Sequence, residues 1–477
     1  MKSDFKKLLI KTGAFTTMGF IVLAIGGVLS DFNNFLSGVL IMLLAIGMYF
    51  YIVFGIAEKN WLDLRAVFSG IWLGTIGLAA LRLTGYQEEW QTKTWVLLGV
   101  TYLVFHIASL LAEIFGDGIT DKLSDVICKI KFKKIGFANR ENRLFLICVV
   151  TTLVGLGCFI ANIAIKGYIP CFSNDPFAYV NFYTKFHLFA VGSTIACGLC
   201  YYCIKTQKIS KFKRVILWLC ILYLLILYPI MIVSRGVFVS VALYFTTVVF
   251  YLNKRKFTAL VLCLVIIFAV YIGASKLRNF TDAQLGDLFE PVEVEIVDPD
   301  DEDEDEDGKS NVPAITLSPK AAFLYGYLTV GHDNFNEAVQ NLDEYTWGCR
   351  TFRPFNVILR IPKFEKIAKS AKDHLVRPHL NTFNFLGEFY YDFHTFGVIF
   401  FVFILAFLSM LLQRATLKYN SMVLLLILGL IFQEIFLVFF SNMAARFEFW
   451  MFLGLILIFA VVSSIVFSLN KAKKSNS

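Results

Sequence analysis

The chain is poor in charge. Only 17% of its 477 residues are Asp, Glu, Lys or Arg, while 57% are hydrophobic and the mean hydropathy is +0.67. A soluble fold covers its surface with charge, so this shortage excludes a water-soluble enzyme built around one apolar core. The sequence also lacks a Walker phosphate loop and a zinc signature such as HExxH, so no motif points to nucleotide hydrolysis or zinc chemistry. No small-residue cleavage pattern follows the basic start at Lys2, Lys6, Lys7 and Lys11, which argues against a cleavable signal peptide. These absences leave an integral membrane protein.

What is present is a series of apolar windows. A hydrocarbon core of roughly 30 Å needs about 20 apolar residues per helix. Twelve windows approach that length: 11–30, 35–56, 66–84, 95–115, 144–165, 186–204, 215–233, 237–252, 257–274, 394–412, 421–440 and 447–469. Seven basic residues crowd the 116–143 connection (Lys122, Lys129, Lys131, Lys133, Lys134, Arg140, Arg143), and Lys and Arg recur in 205–214, in 253–256 and after Asn470. Positive residues are retained on the cytoplasmic side. The expected layout is therefore an all-α polytopic membrane protein of about 12 transmembrane helices, with both termini cytoplasmic and one large extracytoplasmic loop between helices 9 and 10.

In this layout the Ser234-Arg235-Gly236 stretch is a tight turn on the outer side, where Gly236 suits the turn but Arg235 is not needed for it. Arg235 either snorkels to headgroups or lines an anion site. The outer loop, 275–393, is too long for a structureless connection and is expected to form its own domain. Its first part, Glu290 to Asp307, holds twelve acidic residues and reads as a solvated insertion. Residues 316–340 read as a helix starting near Pro319. The third part is basic: Arg350, Arg353, Arg360, Lys363, Lys366, Lys369, Lys372 and Arg377, with His374 and His379. Spacing after Pro362 gives a helix there a cationic face, suited to anionic headgroups or a bound phosphate. Glu388, Asp392 and His394 then fall within an apolar stretch, where ionisable groups mark a functional cavity by default; Asp392 also fits a helix cap. Arg235, Arg278, Arg353 and Arg377 are candidates for an outer-face diphosphate site, because a guanidinium binds phosphate bidentately; Asp392, Arg350 and Arg446 are further candidates for the site.

Lys166-Gly167-Tyr168-Ile169-Pro170 after span five, Ser234-Arg235-Gly236, Asn381-Thr382 and Gly387-Glu388-Phe389-Tyr390-Tyr391-Asp392-Phe393 complete the pattern. With this layout, the chain resembles bacterial oligosaccharide repeat-unit polymerases, the O-antigen and capsule polymerases, which share their architecture with O-antigen ligases. That resemblance implies a metal-independent glycosyltransferase of the inner membrane, with its active site facing outward and no cofactor. Its donor would be a polyprenyl-diphosphate oligosaccharide, transferred to the sugar hydroxyl of another lipid-linked unit. Membrane lipids, a chain-length regulator and a flippase would be its partners, with no role for nucleic acid. The outer-loop arginines would hold the diphosphate, and Glu388, His379 or His394 would serve as the base. Members often carry glycine after the Asp-Phe pair, where this chain has His394.

Three other readings compete, of which a dolichol-type sugar transferase would favour acidic residues in the first outer loop, Asp31-Phe32-Asn33-Asn34, which has one aspartate. A glycan ligase or protein oligosaccharyltransferase would differ only in acceptor. A lipid-linked oligosaccharide transporter would show inverted repeats or charge deep in several helices, whereas Arg82, Glu113 and Glu434 are sparse or lie near span ends. The cysteines add little: Cys197, Cys200 and Cys203 sit inside span six as small apolar packing, while Cys171 and Cys349 fall on the oxidising side, where a disulfide is permitted.

Overall fold

In a computed structural model the described residues are 2–129, 140–173, 178–254, 256–261, 263–265, 317–359, 361, 362, 364, 366, 367, 373–377, 380–419 and 421–474. Among them are helices, turns and loops, with no strand. Among the described residues, eight helices are long and apolar enough to cross a membrane: Lys11–Ser30, Asn34–Gly55, Thr92–Asp121, Arg143–Lys166, Lys185–Thr206, Lys211–Met231, Arg235–Leu252 and Gly387–Tyr419. The chain thus has the make-up of a multi-pass membrane protein. The other expected windows hold the shorter apolar helices Leu64–Ala80 and Met422–Phe436 and the helix Phe447–Lys474, with the ninth window described only to Val265. At 1.5 Å per residue the 17-residue Leu64–Ala80 helix is about 26 Å long, short of a full hydrocarbon thickness.

The chain divides into two compact units. The first comprises Met1–Leu110, Phe280–Ala406 and Phe436–Ala445. Its helix pair Asn34–Gly55 and Leu64–Ala80 packs through small residues: a Cβ on Gly38 would lie 2.6 Å from the Gly77 carbonyl oxygen. Only glycine permits that approach, and in a bilayer such contact replaces the missing hydrophobic drive between helices. The described part of the long connection belongs to this unit. Its helix Pro319–Asn341 begins with proline at the first turn, where the missing amide costs nothing, and packs against Leu64–Ala80. Phe385, fully buried, sits edge-on to Trp72 at 5.2 Å and anchors the following segment in the same core.

The second unit comprises Leu111–Asn279, Phe407–Ile435 and Arg446–Ser477. The Tyr244 ring is buried against Gly198 and Gly429, and its hydroxyl donates to the Ile195 carbonyl at 3.1 Å. Glu113, Asp117 and Asp121 face Arg414 and Lys418, with Arg414–Asp117 at 2.8 Å and Lys418–Asp121 at 2.5 Å. These largely exposed pairs fix register more than they add stability. Cys197, Cys200 and Cys203 are all fully buried, as expected of apolar packing. Cys171, in this unit, and Cys349, in the first, are both free thiols.

Candidate functional site

Arg235 opens the helix Arg235–Leu252 and is buried, with 6% of its surface exposed. The turn before it is not made at Gly236, which is already helical. The left-handed backbone falls on Val233, with φ +52°, and Ser234 caps the helix by accepting the Val237 amide at 3.3 Å. A β-branched residue at positive φ is a true outlier, held by its surroundings. Burial removes the reading of Arg235 as a side chain reaching freely into headgroups. Arg446, also in the second unit, is exposed.

The other described candidates lie in the first unit, and four of them gather at the start of the helix Gly387–Tyr419. Glu388 stands in its first turn, half-buried, and its backbone carbonyl accepts from the Thr351 hydroxyl at 3.4 Å. One turn later Asp392 is fully buried, yet it caps no helix. Its carboxylate accepts the Thr346 hydroxyl, the Arg350 amide at 3.3 Å and the Thr351 amide at 2.6 Å, and so pins the turn Thr346–Thr351 to the helix. The Thr346 amide adds a fourth tie, to the Tyr391 carbonyl at 2.9 Å. Three donors on one carboxylate offset the cost of burying its charge.

The pinned turn carries Arg350 over the face of Tyr391, with the guanidinium carbon 3.6 Å from the ring centre. Arg350 Nη1 also meets Asp373 at 2.6 Å. The Tyr391 hydroxyl accepts the His374 amide at 2.7 Å, which docks the segment 373–377. On the preceding residue, Tyr390, the hydroxyl accepts from Lys93 Nζ at 2.8 Å.

His394 breaks the helix. Phe393 has φ −144° and ψ 15°, and His394 has φ +50° and ψ −143°, a backbone shape that glycine adopts freely and other residues rarely do. The imidazole is sandwiched between Tyr345, at 4.1 Å, and Tyr390, at 4.9 Å, with its Nε2 buried and without a hydrogen-bond partner.

Arg353 is exposed at the start of the short helix Arg353–Leu359, and Arg377 is half-buried, its charge felt by Tyr86. Arg278, Arg360, Lys363, Lys369, Lys372, His379 and the acidic stretch 290–307 lie outside the described residues. Among the described residues, no group of three or more His, Cys, Asp or Glu is arranged to hold a metal ion.

Behind this site the helix Pro319–Asn341 buries His332, Asp333, Asn334 and Asn336. Sequence reading missed these residues because they sit in a helix that looks ordinary by periodicity. Asp333 accepts from Trp90 Nε1 at 2.9 Å and Gln87 Nε2 at 3.1 Å, and burial raises its carboxyl to about 7. Burial also holds the His332 imidazole down to about 3, so the ring is neutral. Asn384 donates to its Nδ1 at 3.2 Å, which leaves the proton on Nε2, 3.0 Å from the Thr75 hydroxyl. Thr75 in turn donates to the Ile71 carbonyl at 2.8 Å. Asn334 Oδ1 accepts the Val376 amide at 2.9 Å, while its Nδ2 donates to the carbonyls of Leu380, at 2.5 Å, and Thr382, at 2.7 Å. This one helix therefore holds Val376, Leu380, Thr382 and Asn384 in place. No family model, curated protein or solved structure matches the chain.

Proposed function

We propose that the chain polymerises polyprenyl-diphosphate-linked oligosaccharide repeat units into a surface polysaccharide, at the outer face of a bacterial inner membrane. The acceptor sugar hydroxyl attacks the anomeric carbon of the donor glycan. The new glycosidic bond forms as the carbon–oxygen bond to the diphosphate breaks, the hydroxyl proton passes to a base, and polyprenyl diphosphate leaves. Glu388 is the first choice of base, with His379 and His394 behind it, and the reaction needs no metal in this reading. Cationic groups must neutralise the departing diphosphate. Within the first unit Arg350 joins Arg353 and Arg377 as a candidate for that role; Arg235 and Arg278 are separate candidates from the sequence pattern.

One observation carries this reading: in a chain of long apolar helices, two cations are held against adjacent tyrosines beside a half-buried carboxylate. Arg350 lies on Tyr391 and Lys93 on Tyr390, one helical turn from Glu388. Guanidinium and ammonium suit a diphosphate.

The test is a gel of surface and lipid-linked glycan from the host with this gene deleted, then restored as wild type, Arg235→Ala or Arg350→Ala. The polymerase reading expects single repeat units in place of a ladder, corrected by wild type but not by either variant at normal protein level. Full-length glycan left on its carrier lipid would mean a ligase, and an unchanged ladder would remove the reading.

A transporter of the same lipid-linked glycan is the second reading. It is favoured by buried charge in and beside apolar helices: the Asp63–Arg65 pair at 2.9 Å and the fully buried Glu434. Loss of this activity would strand lipid-linked units on the cytoplasmic side, which protease and lectin accessibility of spheroplasts distinguishes.

A further inference from the structure

Trp347 stands at the tip of the turn pinned by Asp392, with φ +50° and 62% of its surface exposed. Gly348 follows at φ +86°. A bulky side chain at positive φ is costly, and exposing an indole gains nothing in folding. Its neighbour Tyr345 is also exposed, at 42%, and the two rings lie 5.2 Å apart. Tyr345 continues the stack onto His394, the second residue of this region with a strained backbone, and His394 onto Tyr390 and so to Lys93. Two unfavourable backbone conformations thus converge on one ladder of four rings, open at the Trp347 end and hydrogen-bonded at the Lys93 end. Strain retained at bulky residues, where glycine would relieve it, marks a site kept for its side chains.

We infer that the Trp347–Tyr345–His394–Tyr390 ladder is a carbohydrate subsite, in which sugar rings stack on the exposed indole and phenol. The inference rests on the glycan-polymerase reading and names where its sugars bind. Two exposed aromatics also fit a membrane interface, but Asp343 and Glu344, both exposed, directly precede Tyr345. Anionic headgroups repel such acids, whereas sugar hydroxyls donate to them. A pyranose offers an apolar C–H face to an aromatic ring and hydroxyls to the rim, so the surroundings match it on both counts.

The experiment uses the full chain in nanodiscs and, as probe, oligosaccharide released by mild acid from the host's surface glycan. Calorimetric titration is expected to give saturable binding, weakened roughly tenfold or more by Trp347→Ala or Tyr345→Leu and by no more than about threefold by Trp347→Phe. Each variant is first required to elute as a single species. Equal affinity of Trp347→Ala and wild type, or no saturable binding by wild type, overturns the subsite. In nanodiscs of brominated phosphatidylcholine, the emission lost on going from wild type to Trp347→Phe is expected to be unquenched; strong quenching assigns Trp347 to the bilayer and overturns the subsite as well. The two readings fail separately. A ladder lost on gene deletion with Trp347-independent binding removes only the subsite, and an intact ladder with Trp347-dependent binding removes only the polymerase.

Discussion

The Asp392 carboxylate takes the Thr351 amide at 2.6 Å, across 41 residues of sequence, and that contact decides where Trp347 and Arg350 stand. With the Thr346 hydroxyl and Arg350 amide on the same group, Asp392 is the acceptor around which the turn is built. Asp392→Ala leaves buried donors without a partner, at about 1–3 kcal/mol each, so a loss of about 3 kcal/mol or more is expected. Asp392→Asn keeps one acceptor oxygen and is expected to lose about half as much. Thermal unfolding in detergent reads the order of the two variants. Limited proteolysis between Leu342 and Arg353 reads the cause, since the Ala variant is expected to be cut there first.

Asp333 predicts a pH dependence with a definite sign. Burial raises its carboxyl from 3.8 to about 7; Glu337 adds to the rise, while Trp90, Gln87 and the charge of Arg82 oppose it. A folded-state pKa above the unfolded one means that the native chain binds the proton more tightly. Its contribution is therefore full below about pH 4, is lost as pH rises toward 7, and is flat above. The loss is on the order of a few kcal/mol. Melting temperatures of wild type and Asp333→Asn from pH 4 to 8 measure it: wild type should fall more steeply with rising pH. Parallel curves would show that Asp333 does not titrate in this window.

The apolar windows were readable because a membrane span is written in consecutive residues. The 17-residue Leu64–Ala80 helix and the helix start at Pro319 follow from the same local signals. Glu388, Asp392 and His394 could be flagged together because unneutralised polar groups stand out against apolar neighbours. Their roles could not be assigned. Lys93 reaches Tyr390 across 297 positions, and Asp392 serves a turn far upstream, so no spacing in the chain announces either contact. The buried row His332, Asp333, Asn334 and Asn336 was invisible for the opposite reason: a polar helix between spans reads as a solvated one until its partners are known. The pair Trp347-Gly348 did carry a usable signal, since glycine after an aromatic residue in a polar run marks a turn.

Gly331 marks the place where the helix Pro319–Asn341 meets two other backbones. A Cβ there would collide with the Phe439 carbonyl oxygen and lie 2.8 Å from the Asn384 amide nitrogen, which itself donates to the Gly331 carbonyl at 3.0 Å. Backbone cannot yield as a flexible side chain can, so Gly331→Ala is expected to cost about 3 kcal/mol, against the gain in helix propensity of about 1 kcal/mol that alanine normally brings. Thermal unfolding decides the sign. An alanine variant as stable as wild type would mean that the 383–384 segment moves aside at no cost.

His394 offers the sharpest separation of folding from function. At φ +50° and ψ −143° any residue with a Cβ is strained by about 1–3 kcal/mol, and glycine is not. His394→Ala keeps the strain and loses the stacking on Tyr345 and Tyr390, so it is expected to destabilise by about 1 kcal/mol. His394→Gly loses the same stacking but releases the strain, so it should be more stable than the Ala variant by about 1–2 kcal/mol, the reverse of the ordinary helical order. If the imidazole is kept for its chemistry or its place in the ladder, both variants lose polymer equally in the host gel despite their different melting temperatures. Activity that instead tracks stability across wild type, Gly and Ala would make His394 a packing residue and would remove it from the site.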